Sequence, residues 1–167
     1  MPIIVLRYKI ALLFSIAVVL SWSCATIQVG PSIDALEEKI IEAGSGPSKI
    51  LLIDVDGPIS NHPKKTWTGF YSETGMVDRI REILKKADKD KNIKGILLRI
   101  NSPGGTVTAS DIIYHEIKSF KEKNNLKVYV SVVDIAASGG YYVALAGDKI
   151  IMHPTSLTGS IGVLAMK

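Results

Sequence analysis

The chain has 167 residues, of which 47% are hydrophobic and 22% are charged, with 14 glycines and 7 prolines. This composition allows a buried core and excludes a disordered chain, a collagen-like repeat and a low-complexity array. The formal net charge of +4 is too small, and acids are too evenly mixed with bases, to predict a nucleic-acid-binding protein. A single cysteine excludes an intramolecular disulfide and a thiolate zinc cluster, and the three histidines are not spaced as metal ligands, so no metal site is predicted.

Residues 1–23 have the order of a targeting segment. Arg7 and Lys9 precede an uncharged apolar run over residues 10–20, after which the chain becomes polar. This order predicts either a secretory signal peptide or an uncleaved membrane anchor, with the rest of the chain exported. Cys24 follows directly in a segment similar to the lipobox of bacterial lipoproteins, and it is therefore a candidate lipidation site. Both alternatives predict a protein associated with the bacterial cell membrane, with its main domain on the extracytoplasmic side.

Beyond residue 23 the sequence alternates predicted helices and strands. Residues 24–48 are a lead-in or linker that includes a predicted short amphipathic helix, and residues 57–75 are a predicted surface loop. Short apolar runs bounded by turn residues predict β-strands over residues 49–55, 95–100, 127–133, 149–152 and 161–164. Helical periodicity or composition predicts helices over residues 33–43, from Thr74 to Ala87, over 106–120 and over about 138–146. The alternation predicts an α/β domain with a mostly parallel sheet flanked by helices.

Two of the predicted strands end in glycine-bearing turns. One ends in Asn-Ser-Pro-Gly-Gly at residues 101–105, a turn that could present backbone N–H groups to an oxyanion or simply join a strand to a helix. The other ends in Ala-Ala-Ser-Gly-Gly at residues 136–140, where Ser138 could be a nucleophile or a helix-capping residue. Together the two turns supply what a serine acyl-transfer site needs, a nucleophile and a separate backbone donor.

The sequence around these turns resembles the S49 family of serine peptidases. The resemblance spans roughly residues 50–163 and rests on four motifs in order, namely Leu98–Gly105, Ala136–Tyr142, Ala146–Ile150 and Pro154–Val163. It implies a ClpP/crotonase-like fold that is incomplete at the C-terminus, with residues 49–167 forming the N-terminal part of a peptidase domain.

The resemblance also implies a role for each matching residue. Ser138 matches the nucleophile, and the backbone N–H of Gly105 matches an oxyanion donor, with the Gly139 N–H as the second donor. Ser160 matches a serine that hydrogen-bonds a catalytic lysine, because the family uses a Ser-Lys dyad without a metal or cofactor. The family's lysine lies several tens of residues after the nucleophile, and no lysine up to Lys167 matches it. We therefore expect the general base beyond residue 167, and little or no activity from this piece alone.

The function implied by the resemblance is that of a membrane-associated serine endopeptidase which self-assembles and cleaves signal peptides or other hydrophobic peptides. One alternative is a catalytically inactive scaffold that binds such peptides. Another is a crotonase-like acyl-CoA enzyme that stabilises a thioester enolate, although Ser138 and the export signal argue against it. A Ser-His-Asp triad is not predicted, because His153, Asp134 and Asp148 fit turn or strand-end positions better.

Overall fold

The structure is a computed structural model that describes residues 37–62, 64–65 and 72–164. The chain divides into two compact units, residues 1–32 and 33–167, and every described residue belongs to the second. The predicted targeting segment at residues 1–23 and the candidate lipidation site Cys24 lie outside the described residues. The same holds for Lys167.

The described residues alternate strands and helices in chain order. The strands are β1 (Lys49–Asp56), β2 (Lys64–Lys65), β3 (Ser72–Glu73), β4 (Ile93–Ser102), β5 (Lys127–Ala137), β6 (Lys149–Met152) and β7 (Leu157–Gly159). The helices are α1 (Met76–Ala87), α2 (Val107–Asn124) and α3 (Gly139–Ala144).

A parallel sheet organises the domain, in the order β1-β4-β5-β6. β6 pairs with the first half of β5, and β7 pairs with the last three residues of the same strand, so both lie along one side of β5. β2 and β3 form a separate antiparallel pair within the predicted loop. Because β1, β4, β5, β6 and β7 run parallel, their carboxyl ends point in one direction, and this is the edge that positions functional groups in α/β sheets.

One face of the sheet carries the hydrophobic core. Ile53, Leu98 and Val130 are neighbours in register on β1, β4 and β5, and all three are fully buried. The three helices pack their apolar sides against this face in a single core cluster. α1 follows the helical period of the sequence, burying residues three or four positions apart, and α2 ends where Asn125 adopts a left-handed conformation. The predicted parallel sheet flanked by helices is therefore confirmed.

The opposite face of the sheet is open in the described part of the chain. Ile50, Tyr129 and Ile151 are exposed there. Arg99 of β4 forms a bidentate pair with Asp54 of β1 on this face, with N–O distances of 2.7 and 2.9 Å. The two faces thus differ completely in packing.

Two predicted elements are wrong. The described part of the predicted helix at 33–43, residues 37–43, is not helical, because Ile40 and Ile41 are exposed and have no apolar surface to pack against. The predicted strand at 161–164 is irregular instead, and the final strand lies earlier, at Leu157–Gly159. The reason is register: Gly159 pairs with Ala137, the last residue of β5, so the following residues have passed the end of their partner strand.

Candidate active site

Two turns meet at the carboxyl edge of the sheet. β4 and β5 are adjacent and parallel, and Ser102 at the end of β4 lies in register with Ala136 near the end of β5. The chain leaves β4 through residues 103–105 and leaves β5 through residues 138–140, so the two segments emerge side by side. The fold therefore brings together the two motifs that the sequence analysis singled out.

Ser138 lies between β5 and α3 in a conformation that is unusual for a residue with a side chain. Its φ is 49° and its ψ is −120°, a combination that favours glycine. The backbone is held on both sides, because Ser138 N–H donates to Gly159 O at 2.8 Å and Ser138 O accepts from Tyr142 N–H at 3.0 Å. Strain of this kind at a polar residue is common in functional sites.

The Ser138 side chain does not cap the helix. It occupies the N-cap position of α3 without a capping hydrogen bond. The residue is half-buried, and within the described residues its hydroxyl has no recorded hydrogen-bond partner. The helix-capping alternative therefore does not describe this serine, and its hydroxyl remains available for chemistry.

The Gly104–Gly105 peptide is fixed by the segment after β1. Ile59 N–H donates to Gly104 O, and Thr106 N–H donates to Ile59 O, each at 2.9 Å. In a trans peptide the C=O and the following N–H point in opposite directions. Since Gly104 O points to Ile59, the Gly105 N–H points away from it, and no described residue accepts a hydrogen bond from it.

The turn at residues 103–105 and the turn at residues 138–140 lie so close together that there is little space for a side chain at either of two glycines, Gly104 and Gly139. A Cβ placed on Gly104 would lie 2.8 Å from both Ser138 Cβ and Gly139 N, and Gly104 has a φ of +98°. A Cβ placed on Gly139 would lie 3.3 Å from Gly105 N and would overlap the hydroxyl of Ser110. Gly104 therefore cannot accept a side chain unless the backbone moves, and the amides of residues 105 and 139 lie close together beside Ser138.

Ser160 is linked to Ser138 through the backbone. Gly159, whose carbonyl accepts the Ser138 N–H, has a φ of 110°, and Ser160 itself has a φ of 51°. The Ser160 side chain is exposed. Four predicted site residues therefore lie at one edge: Ser138, Gly105 and Gly139 are in direct proximity, and Ser160 is one residue away along the chain from a hydrogen-bond partner of Ser138.

Three other polar side chains make structural contacts. His153 is exposed, and its Nδ1 lies 2.7 Å from the hydroxyl of Thr155. Asp148 accepts the backbone N–H of Val128 at the opposite edge of the sheet. Tyr142 in α3 donates to Asp111 at 2.8 Å, and this hydrogen bond raises the pKa of the phenol. Among the described residues, no group of histidine, cysteine and acidic side chains could hold a metal ion.

Two buried serines were missed by the sequence reasoning. Ser102 and Ser110 are the polar residues of the described core, with 0% and 1% exposure. Ser102 lies inside the Asn-Ser-Pro-Gly-Gly motif, and its position at the end of an otherwise apolar strand is the signal that could have marked it.

Comparisons with known proteins bear on this site. A model of peptidase family S49 matches residues 120–167, a segment that contains Ser138, Gly139 and Ser160. A putative signal peptide peptidase SppA of Enterococcus faecium is 36% identical over 129 residues, which are 77% of this chain and 37% of that protein. The chain is related to the S49 peptidases.

The chain is also similar to a second sequence relative and to a protein of known structure. A Brucella melitensis protein named Na(+)/H(+) antiporter NhaA is 49% identical over 83 residues, half of this chain but only 11% of that protein. A solved structure of 1510-N, a membrane-bound stomatin-specific protease carrying a serine-to-alanine mutation, matches with a TM-score of 0.52 and 23% identity over 68% of this chain and 48% of that chain. At that identity the likeness concerns the α/β ClpP-like fold. The chain thus spans well under half the length of the curated relatives described here.

No helix in the described ranges has both the length and the apolar character needed to cross a bilayer.

Proposed function

We propose that the complete protein is a serine endopeptidase of the S49 type, in which Ser138 is the nucleophile. The observation that carries this proposal is the convergence of the two turns, with a strained serine beside two neighbouring backbone amides. A Cβ on Gly104 would lie 2.8 Å from Ser138 Cβ. The turn at residues 103–105, called here the oxyanion turn, is therefore in contact with the proposed nucleophile. A nucleophile and preorganised N–H donors at one point are the requirements of acyl transfer.

The proposed reaction proceeds through an acyl-enzyme. The Ser138 oxygen attacks the scissile carbonyl while a base takes the hydroxyl proton, and the carbonyl oxygen becomes an oxyanion. The N–H groups of Gly105 and Gly139 donate to that oxyanion, stabilising charge that is absent from the substrate. Cleavage of the C–N bond then releases the amine, which receives the proton from the base, and water hydrolyses the ester.

The general base is proposed to be a lysine outside residues 1–167, with Ser160 orienting it. Within the described residues no lysine is recorded in contact with Ser138, and Lys121 and Lys127 interact with Asp148 at the other edge of the sheet. A lysine can act as a base near neutral pH only when burial lowers its pKa. The greater length of the Enterococcus faecium relative leaves room for such a residue.

The proposed substrates are signal peptides or other apolar segments, met at the extracytoplasmic side of a bacterial membrane. Exposed apolar side chains lie near the proposed site. Val107 is two residues after Gly105, and Leu157 and Ile161 are two residues before and after Gly159, whose carbonyl accepts the Ser138 N–H. An apolar peptide would remove these side chains from water. The apolar run at residues 10–20 and the name of the Enterococcus faecium relative support the membrane location and this substrate class. Self-assembly of the complete protein into a homo-oligomer is proposed on the family resemblance.

Labelling with a fluorophosphonate tests the nucleophile. The complete protein should react at Ser138, identified by mass spectrometry of the labelled peptide, and should cleave an apolar reporter peptide. Ser138→Ala should abolish both signals, whereas Ser119→Ala, which changes an exposed serine of α2, should leave both unchanged. Peptide binding without cleavage by the unmodified complete protein would favour the scaffold alternative, and cleavage by Ser138→Ala would exclude this nucleophile.

A further inference from the structure

A second serine of the site region, Ser102, ties the oxyanion turn to the end of β1. Its side chain is completely buried. The hydroxyl donates to Gly57 O at 2.7 Å and accepts the Gly104 N–H at 3.1 Å. The other buried serine, Ser110, donates within its own helix, to Thr106 O at 3.0 Å. Ser102 is therefore the buried serine that connects two separate backbone segments.

These two hydrogen bonds, together with that from Ile59 N–H to Gly104 O, close a ring next to the proposed oxyanion donor. Gly57 is also held through its N–H, which donates to Asn101 O at 2.9 Å, and Ile59 two residues later fixes the Gly104–Gly105 peptide. Ser102 thus forms hydrogen bonds with both segments that this contact joins, the segment 57–59 through Gly57 O and the turn through Gly104 N–H. Because a peptide is planar, fixing Gly104 O sets the direction of the Gly105 N–H.

Ser102 also lies close to Gly140, in the turn that carries Ser138. A Cβ placed on Gly140 would lie 2.7 Å from Ser102 O and 3.2 Å from Ser102 Cβ. The residue has no water-exposed surface and does not reach Ser138 in any recorded hydrogen bond among the described residues. Its contribution is to the placement of backbone atoms in both turns.

We propose that Ser102 is a positioning residue of the active site, which aims the Gly105 N–H at the oxyanion through the Gly57–Ile59 segment. This inference rests on the proposed function. Loss of the hydroxyl removes an acceptor from Gly104 N–H and a donor from Gly57 O, so both segments can rotate. A displacement of the donor by even about 1 Å can cost about 100-fold in rate. The loss falls on the transition state, where the oxyanion exists, and the KM for the peptide is affected little.

The test compares Ser102→Ala with Ile117→Val in the complete protein. Ile117 is equally buried but lies ten positions beyond the start of α2, about 15 Å along the helix axis. Ser102→Ala should lower kcat about 10- to 100-fold with KM within about twofold. Ile117→Val should leave kcat and KM unchanged. Hydrogen exchange of the backbone amides measured on the same variants should be faster at Gly104, whose N–H loses its acceptor, in Ser102→Ala only.

The outcomes separate this inference from the proposed function. An unchanged kcat in Ser102→Ala, or a loss confined to KM, overturns the positioning role, as does unchanged exchange of the Gly104 amide. Failure of the proposed function would appear in the unmodified protein, as absence of cleavage and of labelling at Ser138. In that case the exchange measurement alone decides whether Ser102 holds the turn.

Discussion

The two ends of the parallel sheet are held together by different kinds of interaction. At the amino ends of the strands, charged side chains join the elements: Lys49 lies 2.9 Å from Asp90, and the Asp148 carboxylate accepts the Val128 N–H at 2.8 Å with Lys121 nearby. At the carboxyl ends, the proposed site consists of glycines and serines held by backbone hydrogen bonds and close contacts. Charged side chains join the elements at the amino ends, whereas backbone contacts and small hydroxyl groups such as that of Ser102 join them at the carboxyl ends.

This difference predicts opposite responses to substitution. Exposed ion pairs contribute little each, because water and salt screen them and the long side chains lose entropy on pairing. A backbone turn that has a positive φ, and in which an added Cβ would lie less than 3 Å from backbone atoms, cannot accept a new side chain without moving. The carboxyl edge should therefore be sensitive to single atoms, and the amino edge tolerant of whole side chains.

The largest effect is expected from Ser138→Gly. In the complete protein, activity should fall more than about 10³-fold because the proposed nucleophile is gone. The free energy of unfolding should at the same time rise by about 1 kcal/mol, because glycine adopts the observed backbone conformation without strain. Chemical denaturation and a peptide-cleavage assay measure the two quantities.

Asn125→Gly is the matched control for this strain. Asn125 also has a positive φ, of 51°, but it ends α2 away from the two turns. Its replacement should leave activity unchanged, with a smaller change in stability because asparagine tolerates this conformation. A loss of stability in Ser138→Gly would contradict the interpretation of Ser138 as a strained residue.

The next effect is expected from Gly104→Ala. The new methyl group would lie 2.8 Å from Ala137 O and from Gly139 N, at a φ of +98°. Both turns must shift to admit it, so we expect a loss of about 2–4 kcal/mol in stability and of at least about 100-fold in kcat. Gly46→Ala is the control, because nothing lies within 4 Å of a Cβ at that position. Equal behaviour of the two variants would remove the distinction between constrained and unconstrained glycines.

The smallest effect is expected at the amino edge, from Asp148→Asn. The Val128 N–H, followed by Lys121 and Lys127, lowers the pKa of this carboxyl from its ordinary value of 3.8. Its contribution to stability is therefore present above about pH 4 and is lost as the pH falls through the lowered pKa. At pH 7 the variant should lose roughly 0.5–1 kcal/mol, given the partial exposure of the group.

The pH dependence distinguishes this ion pair from a neutral contact. As the pH falls below about 4, the stability of the unmodified protein should decrease more than that of Asp148→Asn, so the stabilities of the two proteins approach each other. Activity at pH 7 should be unchanged. A stability difference that stays constant throughout the acid range would show that the charge of Asp148 contributes nothing.

The sequence predicted the elements whose pattern is local. Apolar runs marked β1, β4, β5 and β6, and helical spacing marked α1 and α2, because one buried face imposes a period on each of them. It failed where pairing over a distance decides. The strand at Leu157–Gly159 exists because β5 extends to Ala137, and no local pattern shows how far a partner strand reaches.

For the candidate site as well, the sequence predicted which residues matter but not their backbone conformation or their distant contacts. The motifs located Ser138 and Gly105, yet the sequence alone could not distinguish a capping serine from a strained one, since φ is not visible in residue types. The proposed role of Ser102 was missed, because one of its hydrogen-bond partners, Gly57, lies 45 residues away along the chain and the other, Gly104, only two. Predictions that concern Cys24 and the membrane segment remain predictions.

The most direct test of the converging turns is a structure of the complete protein with a peptide boronate or phosphonate bound covalently. The inhibitor should be attached to the Ser138 oxygen, with one of its oxygens about 2.7–3.1 Å from both the Gly105 and the Gly139 nitrogens. Attachment at another residue would contradict the account. So would an inhibitor on Ser138 whose oxygens lie beyond hydrogen-bonding distance of both amides.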